Sequence, residues 1–222
     1  MTAPVLHDWV LSPSCYKVRL MAALVGVRLD AVAVDFHPGR EHRSPRLLAL
    51  NPAGTLPILT HGDLVLTETP AMLTYLARLA GAPSWLGPQD PAGAARVQHW
   101  LAFSSGLTAS LGRARLHEML GHPGDIDALR RRGVRSLREV EAALSENRLL
   151  GLGPFLVGDA PSIADLAVFP YVMLAPDGGV PLDPYPAIRL WTRAVRALPG
   201  FVEMPGIHRL HDLRPEPGEE AA

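Results

Sequence analysis

Ser12, Pro13, Ser14 and Cys15 follow one another where an apolar run gives way to a helical pattern. Unpaired backbone amides and the positive end of the helix dipole should converge there, which favours an anion. The Ser12 hydroxyl could donate a hydrogen bond to a bound thiol and lower the pKa of that thiol. The alternative is that Ser12 only caps the helix, with Pro13 at its first position. Taken alone, the stretch fits this plain cap better.

The loop Asn51-Pro-Ala-Gly-Thr-Leu-Pro57 is a second candidate, and it precedes a predicted hairpin. Proline cannot donate to a sheet ladder, so Pro57 predicts an edge position or a cis peptide bond. A cis bond would turn the backbone groups of Leu56 outward, where a peptide-like ligand could pair with them. Considered by itself, an ordinary junction between loop and strand is the simpler interpretation.

Glu68, Thr69 and Pro70 repeat the first pattern, a hydroxyl residue followed by proline at a helix start. Thr69 could serve as a helix cap and nothing more. The amides of a helix N-terminus also bind carboxylates, and Glu68 could hold an ammonium group. Together these groups would suit the end of an amino-acid-like ligand.

The strands and helices that position these motifs are predicted from alternating strand and helix signals. Apolar runs predict strands at 5–11, 29–34, 56–60 and 64–66, and helical spacing predicts helices at 13–26, 44–50 and 70–80. The order βαβαββα predicts an α/β domain over residues 1–80, with a mixed sheet and a right-handed parallel βαβ unit. The glycine and proline residues of 81–91 predict a linker.

Strand signals are absent after the linker, so residues 92–208 are predicted to form an all-helical domain. Ser162 and Asp165 have the spacing of a capping box that opens an apolar helix. Trp100 and Trp191 are assigned to the core. A helix further along has a basic outer face, expected to be solvated, with anion or partner binding as the alternative. That face consists of Arg130, Arg131, Arg132, Arg135 and Arg138.

Composition excludes several function classes. The chain has 222 residues, of which 48% are hydrophobic and 19% charged, and its net charge is -1. This balance argues against a nucleic-acid partner, because phosphate contacts need clustered cations. Cys15 is the one cysteine, so no intrachain disulfide and no cysteine-rich zinc site can form, and no metal is expected. Lys17 is the one lysine beside twenty arginines, and we expect it to be a surface cation.

The chain shows no sign of a membrane or secretory segment. Its start lacks a basic region followed by an apolar one, and Pro170 interrupts the most apolar stretch, 166–174. That stretch is far shorter than the ~20 residues that span a bilayer. We therefore expect a cytoplasmic protein without a membrane partner, in keeping with a free thiol. The polar, proline-rich residues 209–222 are expected to form a disordered tail.

In this order and spacing, the three motifs resemble those of the cytosolic glutathione transferases, in particular serine-type bacterial members and the phi, zeta and nu classes. Asn51–Pro57 is similar to the family's cis-proline motif, Glu68-Thr69 to its Glu-Ser pair, and Ser162–Asp165 to its capping box. Residues 39–45 are similar to a segment that phi-like transferases use near the glycine end of bound glutathione. The resemblance implies an N-terminal thioredoxin-like domain, a C-terminal helical-bundle domain, a homodimer, and glutathione as cosubstrate without a metal.

The resemblance also implies roles for particular residues. Ser12 would be catalytic, activating the glutathione thiol. The implied glutathione-binding residues are Ser12, Ser14, His42, Arg43, Thr55, Leu56, Pro57, Glu68 and Thr69. A second-substrate pocket is expected between the domains, with Phe103, Leu107, Leu111, Arg113, Arg115 and His117 as candidates. An apolar stripe at helical spacing is more often core than pocket, and His117 is expected to be a partly buried polar residue.

The implied function is conjugation of glutathione to a small hydrophobic electrophile. One alternative is a glutathione-dependent peroxidase or disulfide reductase, and another is a transferase-like binding module without turnover. Ser12 occupies the place of the nucleophilic cysteine found in omega-like members, and Cys15 does not. The reactive sulfur is therefore expected to come from glutathione and not from the protein.

Overall fold

The first part of the chain has the strand and helix order that its sequence predicts. The computed structural model describes residues 2–204, and the predicted tail at 209–222 lies outside the described residues. The elements are β1 (Val5–Asp8), α1 (Pro13–Leu24), β2 (Asp30–Ala33), α2 (Pro45–Leu50), β3 (Ile58–His61), β4 (Leu64–Leu66) and α3 (Thr69–Leu79). Each strand is shorter than or equal to the predicted one, because the outer residues of the apolar runs lie in loops.

The four strands form one mixed sheet in the order β2-β1-β3-β4. β1 runs parallel to β2, with Val5 opposite Asp30, and α1 makes the crossover between them. β1 is antiparallel to β3, and β3 to β4. This is the thioredoxin-like arrangement, and it brings the ends of β1 and β2 to the same edge of the sheet.

The second part of the chain is helical. Its helices are α4 (Pro91–Leu107), α5 (Arg113–Leu120), α6 (Ile126–Leu149), α7 (Ile163–Met173) and α8 (Pro186–Arg196). A π turn, Thr108–Gly112, joins α4 to α5 and shifts the helical phase between the two helices. Gly112 packs against Tyr171, and a Cβ atom at Gly112 would lie 2.6 Å from the Tyr171 ring.

Helix α7 is the centre of the core. Every residue from Ile163 to Met173 is buried, as expected for a helix that is apolar on all sides. It packs against α1, α3 and α4, so the apolar core runs without a break from one domain into the other. The predicted capping box is present at its start. The Asp165 carboxylate accepts a hydrogen bond from the Ser162 backbone amide, and the Ser162 hydroxyl oxygen caps the first turn of the helix. Trp100 and Trp191 lie in this core, which confirms their assignment.

The prediction that Lys17 is a surface cation is wrong. Its side chain is 1% exposed, and its ammonium lies 4.7 Å from the centre of the Tyr171 ring. Helix α1 packs against α3 on one side and α7 on the other, so residue 17 has no route to solvent. Burial lowers the pKa of Lys17 to about 7.

The basic face of α6 is largely solvated, as expected: four of its five arginines are exposed. Arg130 is the exception, since it donates to the Gly178 carbonyl at 3.0 Å and pairs with Glu118 at 2.7 Å. Within residues 2–204, no helix combines the length and the apolarity needed to cross a membrane.

Candidate functional site

A cavity of about 780 Å³ lies between the two domains, and both contribute to its wall. The first domain supplies Trp9, Ser12, Pro13, Ser14, Phe36, His37, Pro38, Arg40, His42, Arg43, Gly54, Thr55 and Leu56. The helical domain supplies Thr108, Gly112, Arg113, Arg115, Leu116, His122, Pro123 and Tyr171.

Ser12 is at once the N-cap of α1 and part of the cavity wall. Its hydroxyl oxygen accepts a hydrogen bond from the Cys15 amide at 3.2 Å, as a helix cap does. The two interpretations of this residue are therefore compatible, because the cap places the hydroxyl at the positive end of α1 and beside the cavity.

Cys15 is unsuited to act as a nucleophile. It is fully buried, and its sulfur accepts a weak hydrogen bond from the Trp9 amide at 3.5 Å. Burial raises the pKa of the Cys15 thiol to about 12, against the smaller lowering effect of the Ser12 hydroxyl. The protein's own sulfur therefore stays protonated at neutral pH, where a thiol is a poor nucleophile.

Ser14 and Tyr171 join the two walls of the cavity. Their hydroxyl groups are 2.8 Å apart and share a hydrogen bond between α1 and α7. Burial raises the pKa of Tyr171 from its ordinary value, so its hydroxyl remains a neutral donor and acceptor.

The loop before β3 presents backbone groups to the cavity. The Leu56-Pro57 peptide bond is cis, one of the two possibilities that the sequence left open. The Asn51 amide group donates to the carbonyl and hydroxyl oxygens of Thr55, both at 2.9 Å, and so holds the loop. A second cis bond, His37-Pro38, also lies in the first-domain wall and was not anticipated.

Trp9, Phe36 and His42 form a stack of rings that the sequence reasoning missed. The ring centres are 4.6 Å apart for Trp9 and Phe36, and 4.3 Å apart for Phe36 and His42. The pKa of His42 is lowered, mainly by burial and also by the neighbouring Arg43 and Arg40. A signal was present, since Trp9 and Phe36 follow parallel strands whose carboxyl ends share one sheet edge, where ligands often bind.

The structure brings most of the implied glutathione-binding residues to one place. Ser12, Ser14, His42, Arg43, Thr55 and Leu56 all line the cavity. Pro57 is buried directly behind this wall, next to Leu56. Glu68 and Thr69 are not among the lining residues and lie at the start of α3, where the Glu68 side chain makes no capping bond.

The second-substrate candidates divide into two groups. Arg113 and Arg115 line the cavity. Leu107 and Leu111 are buried in the core, and Phe103 packs edge-on against Trp100, with ring centres 5.1 Å apart. His117 is partly buried, with its Nδ1 atom 2.8 Å from the His122 carbonyl. These four residues are not among those that line the cavity. Helix α4 packs its apolar stripe against α7, and the π turn shifts the helical phase of the residues after it.

The cavity wall is cationic. It contains four arginines and three histidines, and none of its residues is Asp or Glu. Among residues 2–204, no group of three or more His, Cys, Asp or Glu side chains is placed to hold a metal ion. The cavity wall therefore concentrates positive charge beside the N-terminus of α1.

A thioredoxin-like domain with a cis-proline loop, joined to a helical domain that closes a cavity over α1, is the two-domain architecture of the transferase class that the sequence resembles. Residues 5–78 match the family model for the glutathione S-transferase N-terminal domain, and residues 123–194 match that for the C-terminal domain. The chain therefore belongs to the glutathione transferase family.

Relatives and solved structures span most of the chain. It is 32% identical over 200 residues to maleylacetoacetate isomerase of Pseudomonas aeruginosa, covering 88% of this chain and 92% of the relative. It is 30% identical over 210 residues to glutathione S-transferase theta-1 of Bos taurus, covering 90% and 85%. A crystal structure of glutathione S-transferase from Pseudomonas fluorescens superposes with a TM-score of 0.82 at 31% identity, covering 92% of this chain and 100% of that one.

One structural neighbour carries the ligand that the resemblance implies. Ure2p in complex with glutathione superposes with a TM-score of 0.78 at 25% identity, covering 89% of this chain and 90% of that one. Glutathione is thus bound by a protein with the same two-domain architecture.

Proposed function

We propose that this enzyme activates the thiol of glutathione at Ser12 and directs the sulfur at an electrophile bound in the cavity between the domains. The observation that carries the proposal is the position of Ser12: its hydroxyl lies at the N-terminus of α1 and in the cavity wall. Cys15 supports it from the other side, because its pKa of about 12 keeps the protein's own thiol unreactive.

Glutathione would lie along the first-domain wall. The Leu56 backbone, turned to the cavity beside a cis bond, would pair with the cysteinyl part. The N-terminal amides of α3 would receive the γ-glutamyl carboxylate, with Glu68 near the amino group. His42 and Arg43 would approach the glycine carboxylate. The sulfur then meets Ser12, whose hydroxyl and helix end favour the thiolate, and the thiolate forms a bond to the electrophilic carbon.

Replacing Ser12 with alanine should lower kcat/KM for conjugation of an aryl halide by about 100-fold at pH 7, the usual effect of removing one donor from a developing or bound anion. The loss should shrink as the pH rises to 9, because the variant's bound thiol keeps a higher pKa and ionises later. Initial rates from pH 6 to 9, with glutathione affinity measured by calorimetry, check both points.

Ser44→Ala is the matched control, since Ser44 caps α2 and is also followed by proline. Its loss removes a cap of the same kind without touching the cavity, so its rates should stay within about twofold of the wild type. Equal rates for Ser12→Ala and the wild type across this pH range would rule out the proposed role of Ser12.

We also propose that the enzyme is a homodimer that works in the cytoplasm. The edge strand β4 supports the first point, because it exposes Leu64 and Val65 by 37% and 39%. The free thiol of Cys15 supports the second. Sedimentation velocity at micromolar concentration should give about twice the chain mass of 23.9 kDa. A single species at the chain mass would contradict the dimer.

A further inference from the structure

The hydroxyl groups near Ser12 come from both domains and meet in the cavity wall. Ser14 stands two residues after Ser12 on α1, and Tyr171 reaches it from α7, with the two hydroxyl oxygens 2.8 Å apart. Burial raises the pKa of Tyr171, and hydrogen bonds from the side chains of Ser14 and Thr108 act against that rise. Thr108, Tyr171 and Ser14 all line the cavity, so a chain of hydroxyls leads from the π turn to α1.

The ring of Tyr171 is held in place by its neighbours. Tyr171 is 5% exposed, and the Lys17 ammonium lies 4.7 Å from the centre of its ring. Gly112 packs against the same ring so closely that a Cβ atom there would lie 2.6 Å from it. Lys17 belongs to α1 and Gly112 to the π turn, a kind of turn that is frequent at functional sites. The position of the Tyr171 hydroxyl is therefore set by both domains.

The hydrogen bond between Ser14 and Tyr171 can run in either direction, and a bound sulfur anion selects one of them. If Ser14 donated to Tyr171, its one proton would be used, and its hydroxyl could only accept further hydrogen bonds. If Tyr171 donates to Ser14, the Ser14 proton is free to point into the cavity. A thiolate therefore favours donation from Tyr171 to Ser14 and from Ser14 to the sulfur, and hydrogen bonds in such a chain strengthen one another.

We propose that Tyr171 is a positioning residue for thiol activation: its hydroxyl holds Ser14 so that the Ser14 hydroxyl donates a second hydrogen bond to the glutathione sulfur, beside the one from Ser12. The inference rests on the proposed function and deepens it, because it makes a residue of the helical domain part of the anion site at α1. Tyr171 does not touch the sulfur and acts only through Ser14.

The pKa of bound glutathione measures this effect directly. The ultraviolet absorbance of the thiolate is recorded from about pH 5 to 9 for the protein saturated with glutathione, and the absorbance of the protein alone is subtracted. The protein's own thiol does not contribute, since Cys15 is the one cysteine of the chain and its pKa is raised to about 12. The titration therefore reports the glutathione sulfur.

Ser14→Ala should raise the pKa of bound glutathione by about 1–2, the effect of losing one hydrogen bond to a charged group. Tyr171→Phe keeps the ring and removes the hydroxyl, so it should raise this pKa by about 0.5–1, because Ser14 can then still donate in a less favourable orientation. Conjugation by Tyr171→Phe should be about three- to tenfold slower than wild type at pH 6 and approach it at pH 9. An unchanged pKa in Tyr171→Phe would overturn the proposal.

A variant that carries both Ser14→Ala and Tyr171→Phe separates positioning from direct contact. If Tyr171 acts only through Ser14, the double variant should have the same thiol pKa as Ser14→Ala, because Tyr171 then has no hydroxyl to orient. Effects that add would show that Tyr171 acts on the sulfur by itself, which would overturn the proposal. Gly112→Ala retains every hydroxyl but displaces the ring, and it should raise the thiol pKa about as much as Tyr171→Phe.

Tyr16→Phe is the matched control. Tyr16 is a buried residue of α1 that does not line the cavity, and its hydroxyl donates to the Val202 carbonyl at 2.6 Å. Both tyrosine variants lose one hydrogen bond, so both should unfold at lower urea concentration than the wild type, but only Tyr171→Phe should change the pKa of bound glutathione. A change of equal size in Tyr16→Phe would attribute the effect to lost packing and overturn the proposal.

The same titrations distinguish this inference from the proposed function. A raised thiol pKa in Ser12→Ala with no change in Tyr171→Phe would overturn the inference and leave Ser12 as the activating residue. Raised values in Ser14→Ala and Tyr171→Phe, with none in Ser12→Ala, would support the inference and overturn the proposed role of Ser12. A thiol that keeps the pKa of free glutathione when bound to the wild type would overturn both.

Discussion

Replacing Asp165 with asparagine should lower the free energy of unfolding by about 3–5 kcal/mol, because the asparagine NH₂ would leave two buried donors without an acceptor, at about 1–3 kcal/mol each. Asp165 is fully buried and accepts four hydrogen bonds. One carboxylate oxygen binds the Leu156 amide and the Trp191 indole N–H, both at 2.9 Å. The other binds the Ser162 amide and hydroxyl. An asparagine NH₂ would face donors at one of these two positions.

Urea unfolding followed by circular dichroism measures this loss, and the melting temperature should fall by about 6–20 °C for a chain of this size. Asp90→Asn is the control. Asp90 also accepts two backbone amides, at the start of α4, but at the surface, where asparagine caps a helix equally well. A change below 1 kcal/mol in Asp165→Asn would show that the network contributes little.

Replacing Lys17 with methionine should stabilise the fold by about 4–5 kcal/mol at pH 6, the free energy that corresponds to a pKa lowered by burial from 10.5 to about 7. The effect should vanish near pH 10. The pKa of Lys17 is about 7 in the folded protein, against an ordinary value of 10.5. Below pH 7 both states are protonated, and the folded state carries the whole penalty.

The pH dependence identifies the cause. Between pH 7 and 10.5 the folded state releases its proton before the unfolded chain does, so the wild type gains up to about 1.4 kcal/mol of stability per pH unit. Urea midpoints of wild type and variant at pH 6, 8 and 10 measure the difference. Arg28→Met removes an exposed cation as a control and should show no such trend. A difference that stays constant from pH 6 to 10 would contradict a buried, titrating Lys17.

Short-range sequence patterns were enough to predict most of the fold and many of the residues that line the site. A serine before a proline marks a helix start, so four residues of sequence were enough to place Ser12 at the N-terminus of α1. The proline after Leu56 limited the loop to two geometries, one of which is present. The spacing of Ser162 and Asp165 is itself a short-range hydrogen-bond pattern, and it located α7 to the residue.

Features that depend on packing were not accessible in the same way. Spacing shows that Leu107 and Leu111 share a helix face, but not whether α7 or a ligand covers that face, and the π turn then shifts the phase. Lysine is normally a surface residue, and Lys17 is buried only because α1 packs between two other helices. The partners of Arg115, Leu11 and Asp177, lie 104 and 62 residues away along the chain.

The bond from Arg115 to Leu11 bears on how the two domains can be recombined. A side chain of the helical domain completes the hydrogen bonding of the backbone beside Ser12 in the other domain. A hybrid protein made by joining this first domain to the helical domain of a relative would keep that backbone satisfied only if an arginine stood at the same place on α5. The backbone conformation beside Ser12 therefore depends on both domains, and the two domains are not independent modules.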